Sequence, residues 1–305
     1  MSDYLPVGCY GKLPFWREYL EEKLSFPSTR ALKEWVHQGR EDARLSQEDV
    51  ENARIQATTS RRFLFGIPGS TELVAGVIRP SSDGGGRGFP FMVFTHFPRR
   101  LYGKQYSMLP MALGPVWEAL DDAWDQLAAV TSRDMFREVL GSSLVPTPAP
   151  ATEVQGLYLT ERRESASQVF RRQDGASLDS LKQHLPEFLQ RLRKGGELPA
   201  LELPVSDDIE ASPFEVAFWL ELINKPFFWK RWEPSIFLEE SLAEKNRDVI
   251  LIFGMIRPQD YSAILGCGGT TDLVRPAKVG GSPEGAVSVS GVELSFENLM
   301  KELSS

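Results

Sequence analysis

The residues of this chain that could do chemistry lie in two short runs that also contain backbone-shaping residues. The first run, residues 8–14, contains a cysteine, a tyrosine and a lysine between glycine and proline. Its Gly11-Lys12 pair resembles the end of a phosphate-binding loop, in which a following hydroxyl reaches magnesium. Here the glycines are three apart, and Leu13 stands where that hydroxyl should be. The run therefore favours a strand followed by a turn, with a nucleotide site as the alternative.

The second run, residues 76–90, is glycine-rich and contains two arginines and an aspartate. Arginine anchors carboxylates through paired hydrogen bonds, and it is enriched at the energetic centres of protein interfaces. Arg87 is therefore either a solvated loop residue or a structural or partner-facing arginine. Asp83, in the same loop, is its candidate partner.

Patterns for enzyme chemistry are weak elsewhere. Asp42 and Asp83 faintly resemble the aspartate motifs of metal-dependent serine/threonine phosphatases, but a two-metal site needs several converging carboxylates. A cysteine nucleophile needs a nearby base, so we expect Cys9 to be a small buried thiol. We expect no catalytic residue, no metal and no cofactor. The three histidines are scattered along the chain: His37, His96 and His184.

Composition narrows the class of protein. The chain has 305 residues, 42% of them hydrophobic, which is enough for a large core. Its net charge of −8 and the lack of a long basic block disfavour nucleic acids and anionic membranes as partners. The chain has two cysteines, no signal-peptide pattern at its start and no apolar run of membrane-spanning length. We therefore expect a soluble, cytoplasmic protein.

Apolar periodicity places the two runs in a mixed α/β fold. The first run reads as a strand and a turn that leads into a helix, and residues 28–45 read as an amphipathic helix. An antiparallel meander of three strands follows, and two helices come after it. This order predicts an α/β/α sandwich around a mainly antiparallel sheet. The meander strands are residues 62–67, 72–79 and 89–97, and the two helices are residues 108–130 and 133–140.

A proline-rich stretch at residues 146–150 predicts a boundary between two parts. The first is an N-terminal α/β domain, residues 1–145, and the second is a smaller α/β lobe packed on it, residues 151–305. The lobe's expected strands are residues 153–159, 199–203, 234–239 and 248–253. Its expected helices are residues 178–194, 213–223, 258–265 and 296–303. Residues 270–290 read as a loop or flexible arm, and the aromatic residues of 227–232 form either core or a protein interface.

The two runs resemble the TagF/ImpM family, accessory proteins of bacterial type VI secretion systems. That family begins with Gly-x-Tyr-Gly-Lys-Leu-Pro, which residues 8–14 match. Its later Gly-Val-Leu-x-Pro-Ser-x-Asp and Gly-Arg-x-Phe-Pro motifs are similar to residues 76–83 and 86–90. The similarity is looser after residue 150. The family usually continues the first motif with a Ser-Arg-Gly-Asp-Phe-like run, where this chain has Phe-Trp-Arg-Glu-Tyr at residues 15–19, so a partner surface centred there differs.

The resemblance implies a non-catalytic cytoplasmic regulator. Members of the family commonly repress type VI secretion after translation, and some bind the system's forkhead-associated scaffold protein. The expected partner is therefore a type VI cytoplasmic component, with neither nucleic-acid binding nor direct membrane insertion. A metal-dependent phosphatase-like hydrolase and a nucleotide-sensing module stay alternatives. The residues expected either to define the fold or to bind the partner are Tyr10, Gly11, Lys12, Leu13, Pro14, Arg79, Pro80, Asp83, Arg87, Phe89 and Pro90.

Overall fold

The computed structural model describes residues 3–45, 57–162, 200–205, 212–224, 233–240, 247–267 and 273–274, together with Phe188 and Gln190. The strands are β1 (Tyr4–Pro6), β2 (Gly8–Gly11), β3 (Leu20–Glu22), β4 (Arg61–Phe65), β5 (Glu72–Arg79), β6 (Phe91–Pro98), β7 (Leu144–Pro146), β8 (Ala200–Val205), β9 (Ser235–Glu239), β10 (Arg247–Ile252) and β11 (Leu273–Val274). The α-helices are α1 (Pro27–Leu45), α2 (Leu109–Ala112), α3 (Gly114–Ala128), α4 (Arg133–Ser142), α5 (Ala151–Leu157), α6 (Ser212–Asn224) and α7 (Asp260–Leu265).

Nine of the described strands form one sheet, in the order β11-β8-β10-β9-β4-β5-β6-β2-β3. All neighbours are antiparallel except β11 and β8. The predicted meander is confirmed as β4-β5-β6, with Phe63 opposite Gly76 and Gly76 opposite Phe94. The two remaining strands, β1 and β7, pair with each other in a small separate sheet.

Helices cover both faces of the large sheet, which confirms the predicted α/β/α sandwich. On one face, α1 packs with α7, and its Leu32 and Trp35 lie in a core with Phe63 and Phe237. On the other face, α2, α3 and α6 lie over a larger core that includes Leu64. Because successive side chains of a strand point to opposite faces, the apolar run of β4 supplies both cores.

The helix α1 forms because its sequence matches the helical period on one face. Leu32, Trp35 and Val36 are three and four residues apart and are all buried. Near its start, the Thr29 hydroxyl donates to the Phe26 carbonyl at 2.9 Å. The Trp35 indole donates to the Arg257 carbonyl at 3.1 Å, which ties α1 to the segment that precedes α7.

Three local predictions are wrong. Residues 153–159 are not a strand, because Ala151 and Val154 are buried at helical spacing and the segment forms α5. The predicted helix over residues 108–130 is divided into α2 and α3 next to Pro115, whose missing N–H interrupts the hydrogen-bond ladder. The turn after β2 leads into the strand β3 before α1 begins.

The C-terminal strands continue the N-terminal sheet. β9 lies beside β4, with Phe237 opposite Phe63, so residues on both sides of the proline-rich stretch belong to one sheet. The division into two parts stays a prediction about folding units. The expected strands near residues 199–203, 234–239 and 248–253 are confirmed as β8, β9 and β10, and the expected helices near 213–223 and 258–265 as α6 and α7. The expectations for residues 227–232 and 296–303, and for nearly all of 178–194 and 270–290, lie outside the described residues.

Candidate functional site

The two sequence runs meet at one end of the sheet. The loop between β5 and β6 lies against the turn between β2 and β3, and two hydrogen bonds to backbone carbonyls of the turn help to join them. The Ser81 hydroxyl donates to the Lys12 carbonyl at 2.8 Å, and the Gly84 amide donates to the Trp16 carbonyl at 3.1 Å. The turn itself closes through the Trp16 amide, which donates to the Leu13 carbonyl at 3.0 Å. Most of the predicted site residues are therefore neighbours in space.

At the centre of this contact are Lys12, Asp83 and Arg87, which we call the Asp83 cluster. One carboxylate oxygen of Asp83 accepts from the Lys12 ammonium at 3.1 Å and from Arg87 Nε at 2.7 Å. The other accepts from the amides of Gly85 and Arg87 at 2.9 and 3.0 Å. The predicted pairing of Arg87 with Asp83 is confirmed. The carboxylate thus closes its own loop and also bonds it to the first run.

Asp83 is fully buried, and its partners keep it ionised. Burial raises the pKa of the carboxyl, but the Arg87 amide, the Lys12 ammonium, the Gly85 amide and the Arg87 guanidinium together outweigh burial. The pKa of Asp83 therefore lies well below its ordinary value. Its carboxylate is already satisfied by this chain's own donors.

Lys12 is occupied inside the turn. Besides Asp83, its ammonium donates to the Arg17 carbonyl at 3.3 Å and lies 4.7 Å from the centre of the Tyr19 ring. The residue as a whole is buried. The lysine of the phosphate-loop-like run is thus directed into the contact between the two runs.

A layer of aromatic rings lies beside the cluster on the α1 side of the sheet. Tyr19 stacks on Tyr10 at 5.6 Å and meets Phe89 edge-on at 5.0 Å. Arg40 of α1 covers Phe89 at 5.5 Å and donates from Nε to the Gly88 carbonyl at 3.0 Å. These contacts connect the helix to both runs. No local sequence pattern marks Tyr19 or Arg40, because their partners are far away along the chain.

Gly11 explains why the two runs can approach so closely. Its φ is +136°, a conformation that side-chain-bearing residues rarely adopt, and a Cβ there would overlap the carbonyl of Pro90. Leu13 and Pro90 are buried, whereas Pro14 is exposed at the turn. These four residues therefore shape the contact, and the exposed functional groups come from the loops around it.

Arg79 belongs to a different ionic group, although it lies only four positions before Asp83. It donates to Asp121 at 2.6 Å, to Asp125 at 2.9 Å and to Glu240 at 3.1 Å. Arg62 shares two of these acceptors, Asp121 at 2.7 Å and Glu240 at 3.1 Å. We call Arg62, Arg79, Asp121 and Glu240 the arginine network.

The arginine network lies on the α3 side of the sheet. The guanidinium of Arg79 covers the Trp124 ring of α3 at 5.0 Å, and the half-buried Pro80 follows it. Glu240 directly follows β9, so the network connects strands β4 and β5 and helix α3 to the C-terminal half. The sequence signal for it was faint: Asp121 and Asp125 are one helical turn apart, and Arg62 is close to Arg79 across the β4–β5 pair.

The residues singled out for enzyme chemistry do not converge. Cys9 is buried in the core on the α3 side, and burial raises its thiol pKa far above the ordinary value. His37 lies on α1, at 3.4 Å from the Tyr10 hydroxyl. Cys9 and Tyr10 are adjacent in a strand and therefore point to opposite faces. In the part of the chain that the structure describes, no three His, Cys, Asp or Glu side chains are grouped to hold a metal ion. Among the described helices, none has the length and apolarity needed to span a membrane.

Comparison with protein families gives the class of this domain: it is associated with type VI secretion systems. Residues 8–141 match the model of the TagF N-terminal domain, a type VI secretion system-associated domain. The match contains both sequence runs and the whole Asp83 cluster. It ends within α4.

Other comparisons add little. No curated protein matches the chain. Among solved structures, it is similar to PA0076 from Pseudomonas aeruginosa PAO1, with 21% identity and a TM-score of 0.35. That match covers 47% of this chain and 64% of the other, so it spans less than two thirds of PA0076.

Proposed function

We propose that this protein is a non-catalytic regulator of a bacterial type VI secretion system, and that it represses secretion after translation by binding a forkhead-associated scaffold component in the cytoplasm. The observation that carries the proposal is the match of residues 8–141 to a type VI secretion-associated domain. The role of repressor and the scaffold partner follow from the resemblance to the TagF/ImpM family.

The geometry of the two runs fits this proposal. Their ionic groups, Lys12 and Asp83, are bonded to each other and to neighbouring backbone groups, as in a structural joint. Arg87 is the exposed member of the cluster, with 65% of its side chain accessible. A binding surface built on a rigid joint keeps its shape without a ligand, which lowers the entropy lost on binding.

The test is a pull-down of the purified full chain against the type VI cytoplasmic proteins encoded beside it, including the forkhead-associated scaffold. We expect specific capture of the scaffold. We also expect secretion to increase when the gene is deleted and to fall when it is overexpressed. Failure to capture any of these components would contradict the binding part of the proposal, and reduced secretion in the deletion strain would contradict repression.

Two parallel assays separate this function from its alternatives. Hydrolysis of a phosphorylated peptide with added Mn²⁺ or Mg²⁺ measures phosphatase activity, and equilibrium dialysis with ATP and GTP measures nucleotide binding. We expect neither activity in the wild-type protein. Metal-dependent turnover that is lost in Asp83→Asn would favour a hydrolase, and nucleotide binding that is lost in Lys12→Ala would favour a nucleotide sensor.

A further inference from the structure

Three exposed arginines are on elements that meet beside the Asp83 cluster. Arg17 follows Trp16 in the β2–β3 turn, and the guanidinium of Arg133, at the start of α4, covers the Trp16 ring at 5.0 Å. Arg87 is in the loop whose Gly84 amide bonds to the Trp16 carbonyl. We call Trp16, Arg17, Arg87 and Arg133 the arginine–tryptophan surface. The β2–β3 turn, the β5–β6 loop and the start of α4 therefore meet at Trp16.

The positive charge of this surface is only partly compensated. Arg87 bonds to Asp83 through Nε, which leaves its two terminal nitrogens without a hydrogen-bond partner among the described residues. Within the same residues, Arg17 and Arg133 have no carboxylate at ion-pair distance. Asp83 carries one negative charge against the two positive charges of Lys12 and Arg87. Exposed acids do lie nearby, Glu18 beside Arg17 and Asp134 beside Arg133, but Asp134 pairs with Arg137.

The composition of the surface fits a protein partner. Arginine and tryptophan are the residues most enriched at the energetic centres of interfaces. An arginine stacked on a ring keeps its edge N–H groups free to bind a carboxylate. Trp16 is half-buried and packs against the core, so its ring is held in place before any partner arrives. These features combine a fixed apolar contact with several free donors.

We propose that the arginine–tryptophan surface binds an acidic, extended segment of a partner protein through its Asp and Glu carboxylates. A short acidic segment contacts only this surface, so the local positive charge is enough to bind it. A nucleic-acid duplex or an anionic membrane would bring a wide negative surface against a chain whose net charge is −8. The inference rests on the proposed function for the identity of the partner, and on the described side chains for the surface.

The test uses fluorescence anisotropy with the full chain and a labelled peptide of alternating Glu and Leu. A matched peptide carries Gln in place of every Glu. The test variant is Arg17→Glu with Arg133→Glu. The control variant is Arg30→Glu with Arg100→Glu, which changes the net charge by the same amount. Both positions are exposed and lie near the opposite end of β5, where Ser28 bonds to the Glu72 carbonyl. Circular dichroism confirms that each variant is folded.

We expect the wild type and the control variant to bind the Glu peptide, and the test variant to bind it at least about tenfold more weakly. Binding should also weaken as salt is added, because exposed charges are screened. Equal binding of the Gln peptide, equal loss in the control variant, or absence of binding to the Glu peptide would overturn the inference.

The same variants in the scaffold pull-down separate this inference from the proposed function. Capture by the wild type that is lost in the test variant supports both. Capture that persists in the test variant overturns the inference and leaves the proposed function standing. Peptide binding that depends on Arg17 and Arg133, without capture of the scaffold by the wild type, supports the surface and contradicts the proposed partner.

Discussion

The Asp83 cluster and the arginine network are built from the same residue types but differ in how far their arginines are exposed to solvent. In the cluster, a single buried carboxylate holds two cations, and one of them, Arg87, extends into solvent. In the network, two arginines share two carboxylates and are mostly buried. Arg79 and Asp83 are close in sequence yet belong to different groups. Proximity within a motif therefore does not define a common role, and the two groups should respond differently to substitution.

The largest expected effect is on the cluster's carboxylate. Asp83→Ala removes four hydrogen bonds and leaves the Lys12 ammonium buried without its counter-ion, so we expect a loss of about 4 kcal/mol in the free energy of unfolding. Urea denaturation followed by tryptophan fluorescence measures it. Glu18→Ala, at an exposed position in the adjacent turn, is the control. A loss no larger than that of the control would show that Asp83 does not hold the two runs together.

The next effect tests the arginine network. Arg79→Ala removes the bonds to Asp121, Glu240 and the exposed Asp125, but Arg62 still pairs with Asp121 and Glu240, so we expect a smaller loss of about 2 kcal/mol in the free energy of unfolding. The same denaturation experiment measures it. Scaffold capture should be unchanged, because Arg79 packs against Trp124 of α3 and is not part of the arginine–tryptophan surface. Selective loss of capture by a stable Arg79→Ala protein would contradict this separation of roles.

Acid provides a third test. A group whose pKa is lower in the folded state stabilises that state at pH values above the pKa of the unfolded state. The stabilisation is lost as the pH falls towards the pKa of the folded state. For Asp83, the stabilisation should be complete well above pH 3.8 and should decline below it. The stability difference between the wild type and Asp83→Asn should therefore shrink as the pH falls below about 4. A difference that stays constant with pH would show that the charge of Asp83 is not what stabilises the joint.

Substitution of Arg87 should cause the smallest loss of stability. Its side chain is 65% exposed, and without it Asp83 keeps the Lys12 ammonium and two backbone amides as donors, so Arg87→Ala should cost less than about 1 kcal/mol. In peptide anisotropy, however, it should weaken binding of the Glu peptide. Comparison with Arg79→Ala sharpens the contrast, because we expect Arg79 to contribute mainly to stability and Arg87 mainly to recognition. Equal stability losses in the two variants would remove that contrast.

The features predicted correctly from the sequence are those that depend on residues close together along the chain. The meander follows from short turns between apolar runs, and the Asp83–Arg87 pair joins two residues of one loop. Lys12 and Asp83 are 71 positions apart in the sequence, so no local pattern predicts the bond between them. Likewise, Arg62 and Glu240 are 178 positions apart, so the network was visible only as unrelated charged residues.

The same limit explains the errors in secondary structure. Residues 153–159 have apolar side chains that fit both a strand and a short helix. Burial of Ala151 and Val154 at a spacing of three decides for the helix, and that burial depends on long-range packing. The site residues of the two runs were identified from their resemblance to a family, whereas Arg133 became a candidate only when the fold brought it to Trp16.

The pairing of β4 with β9 has a consequence for synthesis on the ribosome. β4 is an inner strand of the finished sheet, but its neighbour β9 begins at Ser235, long after Arg61 has been made. Until then, the backbone donors and acceptors on that side of an apolar strand have no partner, and such exposed strands recruit other chains. A nascent or shortened chain that ends near residue 141 would therefore be prone to aggregate through β4, even though it contains every residue of the family match.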